Sequence, residues 1–283
     1  MNESPKQTVV IAGDLSRWDS PYKIEGNLVV RGDVPNNSEI QVEGDLRVQG
    51  GVWAAKVQAG RHLIVGQGIS SDSQVTVGGS TKALFIEKSI VHSRIDIIVQ
   101  NSAMRAELFA GRNVLLSDGA IVGGIACAGE KILAHRVGSS SDVETNLSVG
   151  IRPKIRRRRR DLQMLLNRLE EGVDRLAKDI TFLEQANPMS LPPKSRQRYQ
   201  QLTQMKARKS RYENELDQAR RKLVQLLNLA KVRWPPDPHI EVRDTVFQGV
   251  QVEVGWDLFP VTTEFHRVIF KMRNKAICLV DLV

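Results

Sequence analysis

The 283-residue chain is 41% hydrophobic, enough for a real core, but only 5% aromatic, and it carries 41 Lys/Arg against 32 Asp/Glu. Its two cysteines, Cys127 and Cys278, exclude a disulfide framework and offer no metal-ligand spacing. The opening MNESPKQTVV has no basic-then-apolar signal pattern and no apolar run is long enough to span a bilayer, so the expectation is a soluble protein of a reducing cytoplasm.

Residues 1–21 read as an entry or cap segment. From 22 to 151 the chain follows a glycine-punctuated ladder. Gly26 is followed by Leu28 and Val30, and eighteen residues on Gly44 is followed by Leu46 and Val48. Gly111 with Val114 and Leu116 recurs eighteen residues later as Gly129 with Ile132 and Ala134. A fixed short period with alternating apolar residues predicts stacked strands of a β-solenoid, each rung burying its apolar side only through its neighbours. Leu28, Val30, Leu46, Val48, Val114, Leu116 and Ile132 are the expected inward residues. The period shortens around Trp53–Gly60 and the pattern weakens over 79–104. Cys127 reads as one more inward stack residue, and His135 as a rung corner. Glycine and Asn/Asp at the corners are expected where positive φ or tight packing is needed.

Residues 152–233 break the pattern and hold nearly all the basic character, with 22 Lys/Arg against 9 Asp/Glu. Ile155, Leu162, Leu166, Leu169, Val173, Leu176, Ile180 and Leu183 form a heptad seam, and so do Leu202, Met205, Lys209, Tyr212, Leu216, Ala219, Leu223, Leu226 and Ala230. The proline-rich Asn187–Pro193 between them cannot continue a helix. Two seams across a short turn predict an antiparallel coiled-coil hairpin. Residues 234–283 return to the ladder through Ile240, Val242, Val250, Val252 and Val254, then form a β-hairpin around Asn274 that caps the open end.

Three stretches carry a family resemblance. They are Gly123-Gly124-Ile125-Ala126 with Ile132-Leu133-Ala134; Val137-Gly138-Ser139 leading to Glu144-Thr145-Asn146-Leu147-Ser148-Val149-Gly150; and Val246-Phe247-Gln248-Gly249-Val250-Gln251-Val252-Glu253-Val254-Gly255. In this order around a heptad hairpin they resemble the bacterial flagellar assembly protein A family. The resemblance implies a right-handed parallel β-helix interrupted by a coiled-coil insertion, and a cytoplasmic scaffold without catalysis, linked to flagellar or cell-pole assembly. Members of that family usually carry a sizeable domain ahead of the β-helix, and only about twenty residues precede the ladder here.

No nucleophile elbow, phosphate loop or zinc motif is present, and the five histidines lack mutual spacing, so no catalytic, cofactor or metal residues are assigned. Glu25, Asp33, Glu43 and Asp45 beside the first glycines are read as solubilising outward residues rather than a calcium-binding or lyase-like face. The broken repeat and missing histidine loop weigh against a left-handed acyltransferase. The functional candidate is the basic hairpin, with Arg156, Arg157, Arg158, Arg159 and Arg160 near a helix start, where the dipole disfavours cations, and Lys206, Arg208, Lys209 and Arg211 on the second arm. The expected partner is a protein with an acidic surface. Nucleic acid or anionic lipid on the same arm, and self-association or polymerisation through solenoid ends or coiled coil, are the rival readings.

Overall fold

The computed structural model describes residues 7–16, 20–141, 143–185, 202–232, 235, 237–274 and 276–282. It divides into two compact units, residues 1–153 with 235–283, and residues 154–234.

The first unit is a parallel β-solenoid. Its strands stack into three ladders, one along each side of the coil. In the first, Leu28 pairs with Leu46, Leu46 with Leu63, Leu63 with Thr81, Thr81 with Ile97, Ile97 with Val114 and Val114 with Ile132. The second runs through Ile40, Val57, Val75, Val91, Leu108, Ala126 and Leu147. A third, of shorter strands, carries Val52, Ile69, Ile86, Ala103, Ile121 and Val137. Because side chains alternate across a strand, these positions share one face, and all are buried. The seven residues expected to face inward all belong to this core. Each Leu, Ile or Val so buried contributes about 1.5–3 kcal/mol, so the column and not any single rung holds the fold.

One corner is set by torsion, with Asn37, Ala54, Ser71, Lys88, Arg105 and Gly123 at positive φ on successive rungs, and another by crowding. Among the corner glycines, Gly44, Gly111 and Gly129 do not take positive φ. A Cβ on Gly111 would lie 1.9 Å from the Arg94 carbonyl oxygen and one on Gly129 2.2 Å from that of Gly111. Stacked backbones at β spacing leave no room there for a side chain. Beside them runs a ladder of polar acceptors. The Asp45 N–H donates to Asn27 Oδ1 (2.8 Å), the His62 N–H to Asp45 Oδ1 (2.9 Å) and the Ser80 N–H to His62 Nδ1 (3.1 Å). It continues with the Asp96 N–H to Ser80 Oγ (3.3 Å) and the Asn113 N–H to Asp96 Oδ1 (3.2 Å). Asp33 Oδ1 likewise accepts from the Gly51 N–H at 2.6 Å. Asp33 and Asp45 therefore bind rung to rung, a structural role that goes beyond solubility. Among the described residues no cluster could hold a metal ion.

The weak pattern over 79–104 coincides with register shifts between Ala83 and Phe85 and between Ile98 and Ser102, and with a buried hydroxyl pair. Thr81 occupies the column between Leu63 and Ile97, and its Oγ1 lies 2.6 Å from Ser93 Oγ, both buried. Two hydroxyls satisfy each other inside the coil, so the strands persist where the apolar alternation lapses. One expectation is corrected. Cys127 is buried, but it lies between core-facing Ala126 and Ala128 and pairs with Phe109, which places it on the outer side of its strand. Counting offsets from Gly129 put it in the wrong phase, and a one-residue slip reverses the face. His135 sits at the register shift between Ala134 and Arg136, where the strand bends; its Nε2 is 3.8 Å from Asp244.

After the insertion the chain resumes the same ladders. Ile132 pairs with Ile240, Ala134 with Val242, Leu147 with Val252 and Val149 with Val254, all parallel. Lys131 Nζ bonds Glu241 Oε2 at 2.5 Å across that junction. The last strands then turn antiparallel: Phe265–Arg273 pairs with His239–Val246 and with Ala276–Asp281, and Asp257–Pro260 with Gln251–Val254. Phe270 continues the first column beyond Ile240, and Phe259, Phe265 and Phe270 pack with ring centroids 5.7–6.2 Å apart, Phe265 edge-on to Phe270 and the other two pairs tilted. Reversed strands and aromatic bulk close this end of the core.

The second unit is a pair of antiparallel helices, α1 (Pro153–Gln185) and α2 (Leu202–Val232). Asn187–Pro193, together with Lys194, Arg196, Arg198 and Tyr199, lies outside the described residues. No described helix is long and apolar enough to cross a membrane.

Candidate functional site

Helix α1 opens on Pro153, whose fixed φ and missing N–H suit a first helical position. Its first turn holds no acidic residue. Lys154 and Arg156 stand there instead, at the positive end of the helix dipole, and Arg157–Arg160 follow in the next turn, where the charges repel one another.

The seam sets how the two helices face each other. Leu166 and Leu169 pack with Leu216 and Ala219, flanked by Tyr212 and Leu223. Taking Leu166 and Leu216 as position a, Glu170, Glu184, Lys206 and Arg220 fall at e, and Arg158, Leu165, Gly172, Arg208, Lys222 and Leu229 at g. In an antiparallel pair e faces e and g faces g across the seam. The e flank is closed by ion pairs between the helices: Arg220 Nη2 to Glu170 Oε1 at 2.9 Å and Lys206 Nζ to Glu184 Oε1 at 2.6 Å. On the g flank, a Cβ on Gly172 would come within 2.9 Å of the Tyr212 ring, so the glycine makes room for that tyrosine.

The candidate cations divide accordingly. Lys206 is held by Glu184, and Lys209 by Glu213 at 3.2 Å. Arg208 donates to the Tyr212 hydroxyl from Nε (3.2 Å) and Nη2 (2.9 Å), its guanidinium 5.4 Å from the ring centroid. Lys209 sits in the seam, only partly exposed, and is not presented outward. Arg156 is half-buried, and both Arg156 and Arg159 are engaged by other groups. Arg157, Arg158, Arg160 and Arg211 are exposed, and among the described residues none lies within ion-pair distance of a carboxylate. Nine sequence candidates thus reduce to four outward arginines that make no side-chain hydrogen bond or ion pair among the described residues, three of them within one turn of α1.

Two exposed residues fell outside the sequence reading. Leu165 and Leu229 are 41% and 53% exposed on the g flank. The signal is present in the sequence, since each directly precedes a seam position.

Residues 23–277 match a family model described as the Flagellar Assembly Protein A beta solenoid domain. No curated protein and no solved structure matches the chain at a significant level.

Proposed function

The chain belongs to the flagellar assembly protein A β-solenoid family, and from that premise we propose that it is a non-enzymatic cytoplasmic scaffold of flagellar assembly whose basic hairpin binds a partner protein through an acidic surface. The family is not a known enzyme family. The observation that carries the reading is the set of exposed arginines Arg157, Arg158 and Arg160, crowded within one turn of the helix and without carboxylate partners among the described residues. Cations left unpaired in such a place favour an anionic surface that arrives from outside. Single-stranded nucleic acid fits less well, because Tyr212, the described tyrosine of the hairpin, is packed over Gly172 and under Arg208 and offers no stacking face.

The test compares the full chain with a variant in which Arg156–Arg160 are all glutamine. Binding to polyglutamate, duplex DNA and phosphatidylglycerol vesicles is measured across a salt series. Polyglutamate should bind the parent with steep salt dependence and the variant weakly and with little dependence, because salt screens exposed charges. Equal binding by the two proteins would reduce the cluster to a solubility device. Arginine-dependent binding to DNA or vesicles alone would replace the protein partner with those surfaces.

A further inference from the structure

The two flanks of the hairpin differ in a way that narrows the partner. The e flank is occupied by the bonds of Glu170 with Arg220 and Glu184 with Lys206. On the g flank, Leu165 and Leu229 lie exposed between Arg158 and Lys222, both also exposed. The antiparallel register set by the Glu170–Arg220 bond places Leu165 opposite the stretch between Lys222 and Leu229, so these four residues share one region near the helix α1 start. Charge there is one-sided: residues 152–168 and 218–232 contain twelve Lys/Arg and one Asp/Glu.

We propose that this flank docks an acidic amphipathic helix of the partner, which lays its apolar stripe on Leu165 and Leu229 and its carboxylates on Arg158 and Lys222, making a third strand of the coil. The inference rests on the reading of the hairpin as a partner-binding arm. Two apolar side chains in the groove between antiparallel helices, framed by cations, match a helix with leucine at its seam and glutamate beside it. A merely acidic surface would use the arginines and leave the leucines wet. A second copy of the hairpin is disfavoured, since it would bring Arg158 and Lys222 against their own kind. The apolar contact supplies affinity that salt cannot screen, and the cations set orientation.

The probes are a synthetic helix with leucine at a and d and glutamate at e and g, a scrambled peptide of the same composition, and phosphatidylglycerol vesicles. Binding to the full chain is read by fluorescence anisotropy for the peptides and sedimentation for the vesicles. The ordered peptide should bind about tenfold tighter than the scrambled one, the equivalent of burying two leucines in part. A Leu165→Gln, Leu229→Gln variant, changed at exposed positions and checked for helicity by circular dichroism, should lose that preference yet still bind the scrambled peptide. Equal affinity for the two peptides, or no effect of the double substitution, overturns the docked helix while leaving the basic arm intact if Arg156–Arg160→Gln still weakens both. Leucine-dependent binding to vesicles with none to the ordered peptide overturns it in favour of a lipid surface. Binding of neither peptide, in the parent and the arginine variant alike, overturns the helix and the basic arm together.

Discussion

At the scale of single residues, the most informative pair is Thr81 with Ser93. Each stands where its column neighbours are apolar, and among the described residues each side-chain hydroxyl bonds only the other, 2.6 Å away. Replacing Thr81 with valine preserves shape but strands the Ser93 hydroxyl in the core. An unmade buried hydrogen bond costs about 1–3 kcal/mol, whereas removing both partners is close to neutral. Thr81→Val should therefore destabilise by that amount in urea denaturation, and adding Ser93→Ala should recover most of it. Additive losses in the double variant would show that the two hydroxyls do not act as a pair. The same logic explains why the middle rungs were faint in the sequence. Alternation is visible only where apolar atoms carry it, and a satisfied hydroxyl pair fills the interior without leaving that mark.

At the scale of elements, legibility tracked how far the controlling contact lay along the chain. The eighteen-residue repeat exposed the ladders, because Leu28 and Leu46 or Val114 and Ile132 stack at that spacing. The seam through Leu166, Leu169 and Leu216 was equally plain. Glu170 with Arg220 was not, since the fifty-residue separation depends on the length of the turn between helices. The face of Cys127 failed for a related reason: alternation gives the period of a strand but not its phase. Lys209 shows what an element-level reading can still test. Its seam position opens onto a surface depression lined by Ala177, Ile180 and Thr181 on one side and by the polar Glu184, Lys206, Ser210 and Glu213 around it. Lys209→Leu would forfeit the bond with Glu213, worth about 0.3–0.5 kcal/mol between helical neighbours, and gain roughly 1–2 kcal/mol of burial. Burial wins, so the hairpin should melt at a higher temperature by circular dichroism at 222 nm. A lower melting temperature would mean that the charge, and not the space, governs this layer.

At the scale of the whole molecule, the sequence break between residues 151 and 238 is bridged by the sheet itself, and Glu241 reports on that bridge. Burial alone raises the pKa of Glu241, but the hydrogen bonds and charges of Lys131 and Arg243 outweigh it and hold the carboxyl below the usual glutamate range. A lowered folded pKa means stability that is present above the unfolded value, near 4.3, and lost as pH falls through the folded one. Glu241→Gln should therefore cost about 1 kcal/mol at neutral pH and progressively less below pH about 4, followed by urea denaturation at both. A gap that persists at low pH would assign the effect to shape rather than charge. The larger consequence concerns the hairpin. Ile132 stacks on Ile240 and Leu147 on Val252, so the rungs on either side of the insertion need each other. Replacing residues 154–234 with a flexible Gly/Ser linker long enough to join two helix ends about 10 Å apart should leave that stack whole. The remaining residues hold 20 Lys/Arg against 23 Asp/Glu, so the shortened protein turns from basic to mildly acidic. It should keep a β-sheet spectrum and a cooperative melt while losing all binding to polyglutamate. A shortened protein that fails to fold would mean that the helices hold the last rungs in place, and one that still binds polyglutamate would move the anion site onto the solenoid.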